Sequence, residues 1–167
     1  MIPIPNLLRP LASLTIFKLG NHSNQELDRL RQNVRSNSRE CLSLIHLYGD
    51  AYDFADLVNV EYEKVNCISF SNAGGIGEEF DLGVRNGLNN IYNFLKEQHE
   101  GRNRSWQQSF QPLPLLAQRT EEQIEEEGAN EEIEAQMNKN GYAGKIKYLT
   151  NKAKVEILNH FIHGRRM

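Results

Sequence analysis

From Phe80 onward the chain places apolar residues at Phe80, Val84, Leu88, Ile91 and Leu95, steps of three and four that an α-helix gathers onto one face. This period constrains the fold more than any motif does, because it recurs along the chain. Leu27, Leu30 and Val34 share a face, and after the polar run RSNSRE the pattern resumes with Cys41, Leu42, Ile45 and Tyr48. Phe54, Leu57, Val58, Tyr62 and Val65 continue it. Ile146, Leu149, Ala153, Ile157 and Phe161, broadened by Val155, Leu158 and Ile162, predict a last helix over about 145–163. Only VNCISF, at 65–70, could pass for a strand, so the expected class is all-α.

Capping chemistry divides these helices. Ser23 with Glu26 reads as a capping box that starts a helix near Asn24, and Ser38 is a candidate cap for a second helix that Gly49-Asp50 ends. A helix from about Ala51 to Asn66 comes next. Thr120 with Gln123 makes another box, Asn130 can restart a helix after Gly128, and NKNGYAG stops it. Pro112 and Pro114 break 101–119 into a long connection, the best place for a mobile or partner-binding loop. The expected layout is an arm or first helix at 1–22, one helical domain at 23–163 and a basic tail at 164–167.

The chain of 167 residues fits one domain, and no stretch approaches the ~20 apolar residues of a membrane span. Early prolines with Arg9 and Lys18 lack the order of a secretory signal. Cys41 and Cys67 have no CxxC spacing, which leaves neither a disulfide framework nor a zinc site and points to a reducing compartment, cytoplasmic or nuclear. The net charge of −3 conceals a division: eight glutamates lie within 121–134, and cations dominate 139–166. The simplest reading is two solvated faces that attract one another. The alternative is a nucleic-acid surface of Lys145, Lys147, Lys152, Lys154, Arg165 and Arg166.

The glycine cluster in SNAGGIGEEF is not a nucleotide loop. Gly75-x-Gly77 is followed by Phe80 where a dinucleotide fingerprint needs glycine, and Glu78 and Glu79 would repel a phosphate. A turn between helices is expected, with both acids in the next helix's first turn. Asp50, Asp53 and Asp56 read as a solvated face, and His160 with His163 as a surface pair. His22, His46 and His99 lack a nearby nucleophile motif, and Gly83 with Gly87 predicts close helix packing. No cofactor site or catalytic constellation emerges, so the expected role is non-catalytic.

Two segments repeat a turn, a short helix and a longer amphipathic helix: NAGGIGEEFDLGVRNGLNNIYNFL and EEEGANEEIEAQMNKNGYAGKIKYLTNKAKVEILNHFI. A third copy lacking its beginning ends in SRECLSLIHLYGD. This order resembles the armadillo repeat, and most closely the carboxy-terminal repeats of importin-alpha, with EKVNCISFSNAGGIGEEFDL similar to a first and second helix and VRNGLNNIYNFL to the third. KAKVEILNHFI is similar to the third helix of the last repeat. The resemblance implies a short α-solenoid, an irregular helical bundle being the alternative, acting as an adaptor or assembly subunit that binds a protein or peptide. It implies a partner surface on the third helices, where Asn90 matches an asparagine of the family and His46 stands at another such position, with Asn86, Asn93 and Asn159 on the same helices and Trp106 in the connection.

Overall fold

The computed structural model describes residues 5–17, 25–71, 78–126, 128–135 and 145–163. They form α1 (Pro5–Thr15), α2 (Gln25–Tyr48), α3 (Ala51–Asn59), α4 (Tyr62–Ser71), α5 (Glu78–Glu100), α6 (Pro114–Glu126), α7 (Ala129–Ala135) and α8 (Lys145–His163). Among the described residues there is no strand, only an isolated antiparallel bridge between Arg102 and Phe110, and VNCISF lies within α4. The class is all-α. Helices of 24, 23 and 19 residues (α2, α5, α8) are separated by pairs of shorter ones, 9 and 10 residues, then 13 and 7.

Several boundaries differ from the sequence expectation for local reasons. The Ser23 box and the Gly74–Gly75 turn lie outside the described residues. RSNSRE does not interrupt α2: the Ser38 hydroxyl bonds the Val34 carbonyl four residues back, so it works inside the helix and is not a cap. Leu30 and Val34 stay exposed, because α2 joins the hydrophobic core only at Leu42, and Tyr48, the last residue of α2, is exposed as well. The helix expected over 51–66 is two helices, α3 and α4, hinged at Val60 and at Glu61 with φ +56°. Their apolar spacing runs unbroken across the hinge, which hid it.

Asp50 and Asp53 are not merely solvated acids. Asp50 Oδ1 accepts from the amides of Tyr52 and Asp53, and Asp53 Oδ2 accepts from the Asp50 amide, which completes a capping box at the start of α3. The proline-rich connection ends at Leu113, since Pro114 takes the first helical position of α6, where a missing N–H costs nothing. Thr120 is consequently buried inside α6 and caps nothing. Val155 is exposed and does not broaden the α8 stripe, and a side chain at Gly83 would meet open space, so no close helix contact requires that glycine.

Two hydrophobic clusters hold the helices. The first is aromatic: Leu8, Leu42, Phe54, Leu57, Val58, Tyr62, Val65 and Phe94 join α1 to α5. Leu8 brings the amino-terminal segment into this core as the helix α1. The second is aliphatic: Val84, Leu88, Ile91 and Leu95 of α5 pack with Cys67, Ile124, Ile133, Ile146, Ala153 and Ile157. Helix α5 therefore serves both cores, and its remaining face is free to carry polar residues.

Candidate functional site

Helix α5 ends at Gly101, whose φ of +76° and close approach to the Phe110 carbonyl leave no room for a side chain. The turn sends Arg102 beneath the end of α2. There its guanidinium donates to the carbonyl oxygens of His46 (2.7 Å), Gly49 (3.0 Å) and Leu47 (3.3 Å), groups that a helix terminus otherwise leaves unpaired. It also binds Glu97 Oε2 through Nε and Nη2, and lies 4.9 Å from the Phe54 ring centroid and 5.0 Å from that of Phe110.

Glu97 and His46 complete this buried knot. Burial pushes the Glu97 carboxyl up, but hydrogen bonds from His46 and Arg102 outweigh it and hold the group below its ordinary range. Burial pulls His46 down more than Glu97 raises it, so the ring is neutral near pH 7. Because a carboxylate can only accept, His46 Nε2 carries the proton and donates to Glu97 Oε2 at 3.2 Å. The imidazole meets Phe54, Tyr62 and Phe94 edge to face.

Above the knot, α2 and α5 enclose a cleft of about 250 Å³, whose walls include Glu40, Ser43 and His46 of α2, Asn89, Asn90, Asn93 and Glu97 of α5, and Arg104. A second cleft of about 470 Å³ opens between α5 and α8, lined by Arg85, Asn86, Asn89, Lys145, Tyr148 and Leu149. Asn89 borders both, so the two clefts are neighbours along α5. Asn86, Asn89, Asn90 and Asn93 stand at i, i+3, i+4 and i+7, the spacing of a single helical face. Asn90 is fixed: its Nδ2 donates to Ser43 Oγ at 2.8 Å and to Asn66 Oδ1 at 3.4 Å. The Ser43 hydroxyl pairs with Asn90 and the Tyr62 hydroxyl rather than with His46, so these residues make no nucleophile and base pair.

Of the residues expected to touch a partner, His46, Asn90 and Asn93 share the first cleft, and Asn86 lines the second. His46 reaches the cleft only from below, as part of the buried knot. Trp106 stands apart, exposed in the connection with its ring 6.5 Å from that of Tyr48. The side chain of Asn159 and the residues Arg165 and Arg166 lie outside those described. Asn89, Arg85, Arg104 and Tyr148 were not expected; the asparagine spacing alone would have found Asn89, whereas the others depend on contacts between helices.

The lysines of α8 do not share one surface. Lys145 lines the second cleft and Lys152 sits over the Tyr92 and Tyr148 rings, while Lys147 and Lys154, two residues further on in each case, fall about 200° around the helix. Lys154 donates to Glu134 of α7, so the acidic and basic segments do meet. Among the described residues no cluster of histidine, cysteine and carboxylate side chains could hold a metal, and no helix is long and apolar enough to cross a membrane. Comparison with protein families, curated proteins and solved structures finds no match, so the geometry of the two clefts carries the functional reading.

Proposed function

We propose that the chain is a non-catalytic interaction module in which the two clefts along α5 act as one groove that holds an extended segment of a partner protein. The observation that carries this reading is the row Asn86, Asn89, Asn90 and Asn93 lining both clefts. A carboxamide presents a donor beside an acceptor, which matches the N–H and C=O of an extended backbone and ignores its side chains. Seven residues of helix rise ~10 Å, room for about three residues of extended chain. Asn86, Asn89 and Asn93 have no hydrogen-bond partner among the described residues, whereas Asn90 holds α5 against α2.

An armadillo-like stack is the architecture we propose for this module. Its support is the alternation of one long helix with two short ones: α2, then α3 and α4, then α5, then α6 and α7, then α8. In that reading α2, α5 and α8 are third helices and the groove runs along their shared surface; the register differs from the one the resemblance implied, because EEFDL is the start of α5 rather than a separate second helix, so α3 and α4 take the first and second places. The division of the α8 lysines between opposite sides favours a protein over a nucleic acid as partner, since phosphate contacts need cations gathered on one surface. Selection of random twelve-residue peptides on the immobilised chain tests the function. Enrichment of sequences that protect the α5 amides from exchange is expected; no enrichment over a denatured control removes the proposal.

A further inference from the structure

We infer that α2 carries a helix-pairing seam separate from its core face, and that the seam's partner is α2 of a second copy of the chain. Leu27, Leu30, Val34, Asn37, Cys41, Leu44 and Tyr48 follow one another at alternating steps of three and four, the heptad spacing of a coiled-coil seam. None of them belongs to either hydrophobic cluster. Ser38, Leu42 and His46 mark the buried stripe of α2, and the seam lies about 100° around the helix from it. Leu30 is 56% exposed, Val34 40%, Leu44 47% and Tyr48 56%, and Asn37 and Cys41 are exposed as well. From Glu26 to Asn37 only Arg31 is buried, so about three turns of the helix stand outside the core.

The spacing and Asn37 together identify the occupant. A period of 3.5 residues keeps a seam facing a second helix along its whole length, whereas a lipid surface or an extended segment sets no such period. The seam is about 32 Å long, and a carboxamide stands at its middle. Against lipid or a uniformly apolar helix that amide would be buried without a partner, which opposes binding. A two-fold pairing of α2 with itself sets each Asn37 beside its copy, because the residue lies midway between Leu27 and Tyr48, and a carboxamide offers both the donor and the acceptor that its twin needs. The leucines, Val34 and Tyr48 then cover one another on either side. Leu44 also lines the cleft between α2 and α5, so the second copy borders that end of the groove, although the pairing does not depend on the groove reading.

Sedimentation equilibrium of the full chain tests the pairing. A reversible dimer, twice the 19.2 kDa of the chain, is expected as concentration rises. Cys41 should then react with iodoacetamide several-fold more slowly in concentrated than in dilute solution, a readout that needs no variant. Leu30→Glu with Leu44→Glu puts charges into the seam at exposed positions; with the parent's circular dichroism retained, it should weaken self-association about 100-fold or more. Gln32→Glu, exposed on the opposite side of α2, should leave the dimer unchanged. Asn37→Leu should tighten the dimer about tenfold or add a further chain, since a polar seam position lowers affinity while fixing the number of helices. A monomer at every concentration, equal reactivity of Cys41 in dilute and concentrated solution, or a dimer that Leu30→Glu with Leu44→Glu leaves intact overturns the inference. Binding of the parent to phosphatidylcholine vesicles that the same double variant abolishes overturns it in favour of lipid.

Discussion

Two buried glutamates separate the two halves of the molecule. Glu97, beside the aromatic core, is ionised because Arg102 and His46 bond it, whereas Glu63, one turn before Cys67 and the aliphatic core, has no hydrogen-bond partner among the described residues at either carboxylate oxygen. Burial pushes the Glu63 carboxyl up to about 8, so near neutrality it is largely protonated. The same side chain is thus a structural charge in one place and a neutral filler in the other. The aromatic half is held by polar contacts reaching more than fifty residues along the chain, and it forms the floor of the groove. The aliphatic half is held chiefly by helix packing, with the local pairs Lys154–Glu134 and His99–Glu121 at its margin.

The largest expected effect lies in the polar knot. Arg102→Met leaves Glu97 buried and short of its partner and frees three carbonyl groups, so urea unfolding should show a loss of about 3–5 kcal/mol. A loss below ~1 kcal/mol would mean that the aromatic half does not depend on this charge. In the aliphatic half Leu95→Ala should cost about 2–5 kcal/mol, and Ile91→Val only about 0.5–1.5. Equal costs for these two changes would contradict tight packing there.

Glu63 sharpens the contrast through pH. Its folded pKa lies above its unfolded value, so the folded chain keeps a proton that the unfolded chain loses, and stability falls as pH rises between about 4.5 and 8. The slope from this group approaches ~1.4 kcal/mol per pH unit. Glu63→Gln should therefore raise the Tm at pH 8 relative to the parent and do little at pH 4.5; parallel curves would show that the carboxyl is already ionised. The smallest effect belongs to His99, which pairs with Glu121 at 3.0 Å and has its pKa raised chiefly by that contact. Its stabilisation is complete below the unfolded histidine value near 6.5 and fades as pH rises through the folded one. His99→Gln should accordingly lower the Tm at pH 5.5 more than at pH 8.5.

Legibility in the sequence divides along the same line. Val84, Leu88, Ile91 and Leu95 repeat with the helical period and are fully buried, because in a helix packed on neighbours the period is the packing. The hinge at Glu61 was not legible, since its dihedral angle depends on tertiary packing that no spacing records. Only the start of α6 was concealed, because Pro112 and Pro114 read as a break and Thr120, a buried polar position inside the helix, read as its cap. The groove was partly legible: an asparagine row is a property of one helix, so Asn86, Asn90 and Asn93 could be singled out. Arg102 under α2, and Arg85 opposite Lys145, exist only once helices distant in sequence meet.

The most direct test of the groove is calorimetric titration of a peptide enriched on the chain against the parent and the triple variant Asn86→Ala, Asn89→Ala, Asn93→Ala. These side chains face the groove rather than the core, so the variant should melt with the parent. Loss of up to three backbone hydrogen bonds at ~1 kcal/mol each predicts a Kd weakened about 10- to 100-fold. An unchanged Kd in a variant that melts with the parent would show that the bound chain lies elsewhere.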